Sequence, residues 1–225
     1  GVKRFVFASS SSVYGVSRKK NVKENHPLVP LTLYNKYKGF CETKLLKHTD
    51  KNFVGVIFRP ATVCGYSPRL RLDLSVNILT NHAINKNKIL VFGGKQLRPN
   101  LHILDYARVC KLLLSADNNK IANQIFNVGM ENLSILQIAK IVKKQVTKFF
   151  RKKTDLPIEI KKTKDLRSYH INSDKIKKIL KFKPRFSVKD AVIELCNAFK
   201  DGKIKNSFSD SKYYNVRTIK KLKIR

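Results

Sequence analysis

Acidic side chains are scarce in this chain of 225 residues: 15 Asp and Glu stand against 48 Lys and Arg, a formal charge of +33. Tryptophan is absent, and the single methionine is Met130, so the chain, which opens on Gly1, carries no initiator of its own and is expected to be a fragment or a processed piece. No stretch approaches the roughly 18 to 20 consecutive apolar residues of a membrane span, and the start lacks the charged-then-apolar plan of a signal peptide. Membrane and secreted readings are thereby excluded, and the cytoplasm is the expected compartment. The four cysteines, Cys41, Cys64, Cys110 and Cys196, lie far apart with no C-x-x-C pair, so neither a disulfide framework nor a metal site is expected. What is present, 42% hydrophobic and 28% charged residues, is the composition of a globule able to bury a sizeable core.

The charge raises nucleic acid as a partner. A dedicated binding face would be rich in Arg and clustered, whereas here Lys far outnumbers Arg and is strewn along the chain. Local thickenings occur only at Arg151-Lys152-Lys153, Lys161-Lys162 and the tail from Lys220 to Arg225. Compositional drift explains this scatter better than an RNA site does, although such a field favours any phosphorylated small molecule.

Strand and helix patterns alternate, which defines an α/β chain. Val2 to Ala8 is a short apolar run emptying into Ser9-Ser10-Ser11-Ser12, the pattern of a buried strand leading into a loop. Leu33 to about His48 reads as a helix, with Tyr37, Cys41 and Leu45 spaced by four. Phe53 to Phe58 is a second continuous apolar strand, stopped by Arg59-Pro60. Two buried strands joined by a helix predict a parallel βαβ unit. Further on, helices are predicted over 74–85, from an N-cap at Asp105 through Leu114, from a Ser134/Gln137 capping box to about Val146, and over 174–180 and 188–200. Short strands are predicted at 89–92, 125–128 and 158–160. The tail is expected to be only partly ordered.

Tyr34 and Lys38 are four residues apart, so both project from one helix face about 6 Å apart along the axis. A tyrosine titrates near pH 10, and making it a proton-transfer group near neutrality means lowering its pKa by about three units, roughly 4 kcal/mol. One ammonium about 4 Å away, at an effective dielectric near 20, supplies about that much. In so lysine-rich a chain about one Tyr-x-x-x-Lys is expected by chance. The setting decides for chemistry: the helix lies between two buried strands, and ligands of doubly wound sheets bind at the strands' carboxyl ends, where the four serines sit.

These residues carry a resemblance. Ala8-Ser9-Ser10-Ser11-Ser12-Val13-Tyr14-Gly15, then Tyr34-x-x-x-Lys38, then Arg59-Pro60-Ala61-Thr62-Val63-Cys64-Gly65, then Gly93-Gly94-Lys95-Gln96-Leu97-Arg98-Pro99 with Leu101-His102-Ile103-Leu104-Asp105, closely resemble the extended short-chain dehydrogenase/reductases. Within these the chain is similar to NAD-dependent epimerases and dehydratases of nucleotide sugars, in order from the first residue to about Pro184. The resemblance implies that Ser10, with Ser11 as its neighbour candidate, hydrogen-bonds the reacting sugar hydroxyl, that Tyr34 takes its proton, and that Lys38 holds the nicotinamide ribose and lowers the tyrosine's pKa. Ser9, Pro60 and Val63 would line the nicotinamide. Arg98 and Arg167 would meet the substrate diphosphate, for which a guanidinium fork is suited. His102 is expected to be a packed or hydrogen-bonded loop residue.

Two departures matter. Dehydratases of this family place an Asp-Glu pair directly after the position of Ser10; here Ser11 and Ser12 stand there, which disfavours dehydration and prefers epimerisation or ketone reduction. The nine glycines show no G-x-x-G-x-x-G, the loop whose amides hold a dinucleotide's pyrophosphate. About the first hundred residues of a family member, including the acidic residue that selects the adenosine ribose, have no counterpart here. The expectation is therefore a partial Rossmann-like, doubly wound parallel sheet lacking its N-terminal strands, with a smaller C-terminal α/β substrate-binding domain. Residues 1–65 form the truncated cofactor part, 66–225 mainly the substrate domain with about 100–129 returning, and 205–225 the basic tail. NAD is the expected cofactor, with NADP as alternative, a nucleotide-diphosphate sugar the partner, and a homodimer the assembly of the complete form. An inert remnant or an RNA-binding derivative of the same fold is the alternative function.

Overall fold

The computed structural model describes residues 1–17, 19, 21–163 and 168–222. The chain divides into two compact units, one comprising Gly1–Val63, Gln96–Leu133 and Asp165–Arg185, the other Cys64–Lys95, Ser134–Lys164 and Phe186–Arg225. The return to the first unit thus spans 96–133, and a third segment after it, placed with the substrate domain in the sequence reading, also belongs there.

The first unit is built on β1 (Arg4–Ala8), α1 (Leu33–Lys47) and β2 (Val54–Pro60). β1 and β2 are parallel, from Arg4 opposite Val54 to Ala8 opposite Phe58. Every residue of β2 is buried, which is why its sequence runs apolar without alternation. Gly55 interrupts that run for a spatial reason: a Cβ there would lie 2.5 Å from Thr49 Cγ2 and 3.1 Å from Leu45 Cγ. The missing side chain lets α1 pack closely on the strand. Thr32 caps α1, its hydroxyl accepting from the Asn35 amide, and Lys44 and Lys47 complement the helix's negative end.

After β2 come β3 (Thr62–Cys64), α2 (Ser75–Asn85), β4 (Ile89–Phe92), β5 (Leu97–His102), α3 (Ile103–Ser115), α4 (Asn118–Ile121), β6 (Ile125–Val128) and β7 (Glu131–Ser134). β6 completes the parallel sheet in the order β1-β2-β6, with Ile57 opposite Ile125 and Pro60 opposite Val128. Val56, Phe58, Leu101, Val109, Leu113 and Phe126 form the centre of this unit's core. The cap of α3 is His102, whose ring nitrogen accepts from the Leu104 amide. Asp105, the N-cap expected from sequence, instead lies within the first turn, buried, where it pairs with Arg108 and accepts from the Arg185 amide at 2.8 Å. It ties a loop to the helix rather than opening the helix.

The remaining elements are α5 (Ile135–Phe149), β8 (Ile158–Lys161), α6 (Asp174–Leu180), α7 (Val188–Lys200) and α8 (Asn215–Lys221). α6 belongs to the first unit. In the second, α2, α5 and α7 pack together, and β4 pairs with β8 in parallel. α5 and α7 each open with a reciprocal capping box, Ser134 with Gln137 and Ser187 with Asp190. Residues 205–222 of the basic tail are described and are anchored. Tyr213 and Tyr214 are buried with Leu70, Leu72 and Leu195, Leu72 N donates to Tyr213 O at 2.9 Å, and α8 follows. The pattern of basic residues concealed two anchoring tyrosines.

α1 also differs from expectation in its polarity. The residues it buries are Asn35 and Glu42, while Leu33, Tyr37, Phe40 and Cys41 face outward. The helix has turned a polar stripe toward the strand ends and an apolar one away.

His82, on α2, is buried and stacks on Phe208 with ring centroids 5.7 Å apart. Burial, helped by the nearby Lys86 charge, pushes its pKa down to about 4. An unfolded histidine titrates near 6.5, so on acidification the unfolded chain takes up a proton that the folded one refuses until about pH 4. Stability therefore falls as pH drops through this window, by about 3 kcal/mol in full. Urea unfolding at pH 7 and pH 4.5 should show this loss in the wild type and a smaller one in His82→Phe; equal losses would refute it.

Candidate active site

β1 ends at Ala8, and the chain passes directly into a tight turn. Ser10 is extended and caps a 3-10 turn over Ser11–Tyr14, its Oγ accepting from the Ser12 amide at 3.2 Å. Gly15 ends the turn at φ 64°, where a Cβ would lie 1.9 Å from the Val29 carbonyl oxygen. Only glycine permits this strap to close over the turn. Ser10 Oγ and Ser12 Oγ are 2.7 Å apart, and Ser12 Oγ donates to Asn35 Oδ1 at 2.7 Å. The serine turn is thus bonded to the residue following Tyr34 on α1.

The stripe of α1 facing this turn places Tyr34, Lys38 and Glu42 at successive turns of the helix. Tyr34 is open, with 58% of its surface exposed. Lys38 Nζ donates to the Ala8 carbonyl at 2.7 Å and lies 5.8 Å from the centroid of the Tyr34 ring and 4.8 Å from that of Phe7. One N–H of three is used on the strand end, which leaves two for a ligand.

Beneath them lies a group that sequence reasoning passed over. Arg59, in the all-buried strand β2, pairs with Glu42 of α1: Nε is 3.0 and 3.2 Å from the two carboxylate oxygens and Nη2 is 2.5 Å from Oε2. Both side chains are buried. Arg59 Nη1 donates to Tyr14 Oη at 2.7 Å and to the Glu24 carbonyl at 2.9 Å, and Tyr14 Oη donates to Asn127 Oδ1 at 2.7 Å. Ser9 Oγ donates to Glu42 Oε1. Burial, the largest single influence, opposes the charged guanidinium, but the hydrogen bonds and charge interactions with Glu42 and Tyr14 together outweigh it and hold Arg59 above its usual pKa. Burial likewise pushes the Tyr14 phenol up, against the pull of Arg59, so it stays protonated and serves as a structural donor. Burial also raises Tyr106 to about 12. The signal for this network was present in the sequence: an arginine inside an apolar strand cannot be buried without a partner.

The other expected residues fall as follows. Ser9 and Ser11 are buried, and Ser10 is half-buried. Pro60 ends β2 and is buried; Val63 lies half-buried in β3. Arg98 is buried in β5, with Nη1 donating to the Leu97 carbonyl at 3.0 Å. Arg167 lies outside the described residues. His102 is buried and hydrogen-bonded, as a cap. No helix among the described residues is long and apolar enough to cross a membrane.

A model of the NAD dependent epimerase/dehydratase family matches residues 1–129. The chain belongs to this family, with its extended short-chain dehydrogenase/reductase fold. It is 30% identical over 196 residues, 85% of the chain and 58% of the relative, to an uncharacterized UDP-glucose epimerase, YtcB, of Bacillus subtilis. It is 26% identical to the UDP-glucose 4-epimerase of Streptococcus mutans, covering 86% of this chain and 62% of that one. It therefore spans about three-fifths of the length of these relatives. Among solved structures, UDP-glucuronic acid 4-epimerase from Bacillus cereus in complex with UDP-glucuronic acid and NAD superposes with a TM-score of 0.75 at 25% identity, over 89% of this chain and 62% of that one. The UDP-glucose 4-epimerase of Thermotoga maritima with UDP-glucose shares the fold with a TM-score of 0.76 at 22% identity, over 91% and 65%.

Removing one partner of a buried ion pair strands the other, whereas replacing both by apolar residues is close to neutral. Glu42→Gln is expected to lower unfolding free energy by about 3 kcal/mol, and Glu42→Met combined with Arg59→Met to recover most of that loss. Chemical denaturation of the two variants checks this; a double variant no more stable than Glu42→Gln would contradict it.

Proposed function

We propose that the protein carrying this chain is a nucleotide-sugar epimerase or 4-ketoreductase in which Tyr34 is the acid/base. The observation that carries the reading is the convergence of Lys38, the open ring of Tyr34 and the Ser10–Ser12 hydroxyls at the end of β1. A buried donor at this corner, Asn35 Nδ2, has no hydrogen-bond partner, which fits a ligand bearing acceptors. The residues present fit the nicotinamide-ribose end of NAD: Lys38 would hold the ribose hydroxyls, with Ser9, Pro60 and Val63 behind the ring. Relatives solved with NAD support that cofactor over NADP.

A bound NAD would supply a reversible hydride acceptor for the carbinol carbon. The chain's own part is the proton. Ser10 orients the sugar hydroxyl, Tyr34 Oη as phenolate takes that hydroxyl's proton as the carbonyl forms, and the same oxygen returns it when the carbinol is restored. The Lys38 ammonium stabilises the phenolate before the proton is taken and again after it is returned. An epimerase keeps its cofactor through a turnover and returns hydride to the other face of the ketone; a ketoreductase releases it after one transfer. Dehydration needs a second acid and base next to Ser10, and Ser11 and Ser12 supply neither. Arg98, already desolvated, and Arg167 are proposed to meet the diphosphate, which draws on the chain's positive field. The cytoplasm is the proposed compartment.

In the full-length protein Tyr34→Phe is expected to lower kcat by about 10³-fold, with nucleotide-sugar affinity held within about twofold. Lys38→Met should lower kcat by about tenfold or more, for want of the ammonium beside the reacting oxygen. Initial rates across pH together with calorimetric titration of UDP-glucose test both, and comparable rates for Tyr34→Phe and wild type would remove the phenol from the mechanism.

The outward stripe of α1 carries the assembly proposal. Leu33, Tyr37 and Phe40 are 73%, 63% and 54% exposed on one face, an apolar row of the kind that marks an interface. We assign it to a homodimer in which α1 packs against its symmetry mate. Sedimentation should find a dimer for the wild type and a monomer for Tyr37→Glu/Phe40→Glu; a variant that stays dimeric contradicts the assignment.

A further inference from the structure

The first unit holds a cavity of about 430 Å³ that none of the catalytic residues lines. Its size falls in the range of small-molecule sites. Its floor is apolar, made by Val128 at the end of β6 with Ile171, Ile176 and Phe182, all buried. Gly129 brings the chain close at this wall, since a Cβ there would lie 3.0 Å from Ile171 Cδ1.

The polar groups around that floor are unevenly matched. His170 lines the cavity, and its Nδ1 is buried with no hydrogen-bond partner. A buried ring nitrogen in that state costs free energy that a ligand can recover. Two exposed lysines, Lys177 and Lys183, stand at the rim together with the exposed amide of Asn21, and neither ammonium has an acidic partner among the described residues. The one carboxylate there, Asp174, accepts from Asn172 Nδ2 at 2.7 Å. The lining therefore sets two ammonium groups with the Asn21 and His170 side chains above an apolar base.

We propose that this cavity is a binding site for a small organic phosphate, its phosphate oxygens held by Lys177, Lys183, Asn21 and the His170 ring, and its body seated on the Ile171, Ile176 and Phe182 floor. A phosphomonoester offers three acceptor oxygens to these groups, and an apolar body fills the base that a bare ion leaves empty. The site is separate in its residues from the Tyr34 corner, so it stands whether or not the proposed activity does.

The probe is phenyl phosphate, titrated calorimetrically into the 225-residue chain, with His170 ring resonances followed by NMR. Saturable binding that moves those resonances is expected, with inorganic phosphate weaker by about tenfold or more for want of a body. Benzoate distinguishes a phosphate site from a general carboxylate one, and binding as tight as that of phenyl phosphate overturns the assignment to phosphate. Lys177→Glu/Lys183→Glu, both at exposed positions, should weaken phenyl phosphate by about tenfold or more. Lys140→Glu/Lys144→Glu, the same charge change made on the exposed face of α5, should leave affinity within about twofold. Equal losses in the two double variants would mean attraction to the net charge alone and would overturn the proposal, as would the absence of saturation or unmoved His170 resonances.

Discussion

The ion pair between Glu42 and Arg59 joins α1, β1, β2, β6 and the serine turn. Through it α1 is fixed to β2, through Ser9 the pair reaches the end of β1, and through Tyr14 and Asn127 it reaches the serine turn and β6. Desolvating two charges makes such a pair a weak source of stability. It is a strong source of position, because each hydrogen bond that satisfies it fixes one further segment. An apolar core in the same place would bury the elements equally well without setting the rotation of α1 about its axis. The pair sets that rotation, and Lys38 and Tyr34 follow at one and two turns' distance.

From this constraint comes the inversion of α1. Since Asn35 and Glu42 must face the strand ends, the apolar residues of the same helix are turned outward. The proposed catalytic face and the proposed assembly face of α1 thus both follow from one choice of helix rotation. The serine turn completes the arrangement: Ser12 gives its hydroxyl to Asn35, and Ser10 is held by Ser12. Where dehydratases carry two carboxylates, this chain carries hydroxyls that brace the turn, which is why the proposed chemistry moves a single proton.

The parallel βαβ core was legible in the sequence because two continuous apolar runs of strand length, ended by the serines and by Arg59-Pro60, flank a segment of helix length. The Ser134/Gln137 capping box was legible for the same local reason. What escaped was non-local. The polarity of α1 depends on a partner in β2, Asp105 left the cap position to bind a loop eighty residues away, and the tail is anchored by Tyr213 and Tyr214 amid lysines. The Tyr34–Lys38 pair was legible only as a spacing; the structure adds that the ammonium is also bound to Ala8. The unpartnered Asn35 Nδ2 and His170 Nδ1 could not be read from spacing at all, since being unpaired is a property of the packed state.

If the buried pair positions the serine turn, loosening it should be felt there before anywhere else. Native-state amide hydrogen exchange of Glu42→Gln tests this most directly. Protection at Ser9, Val13 and Gly15, whose amides donate to Phe58, Ser10 and Ser12 carbonyls, is expected to fall by about tenfold or more while that of α7 is retained. A uniform fall across both units, or unchanged protection in the turn, would contradict the account.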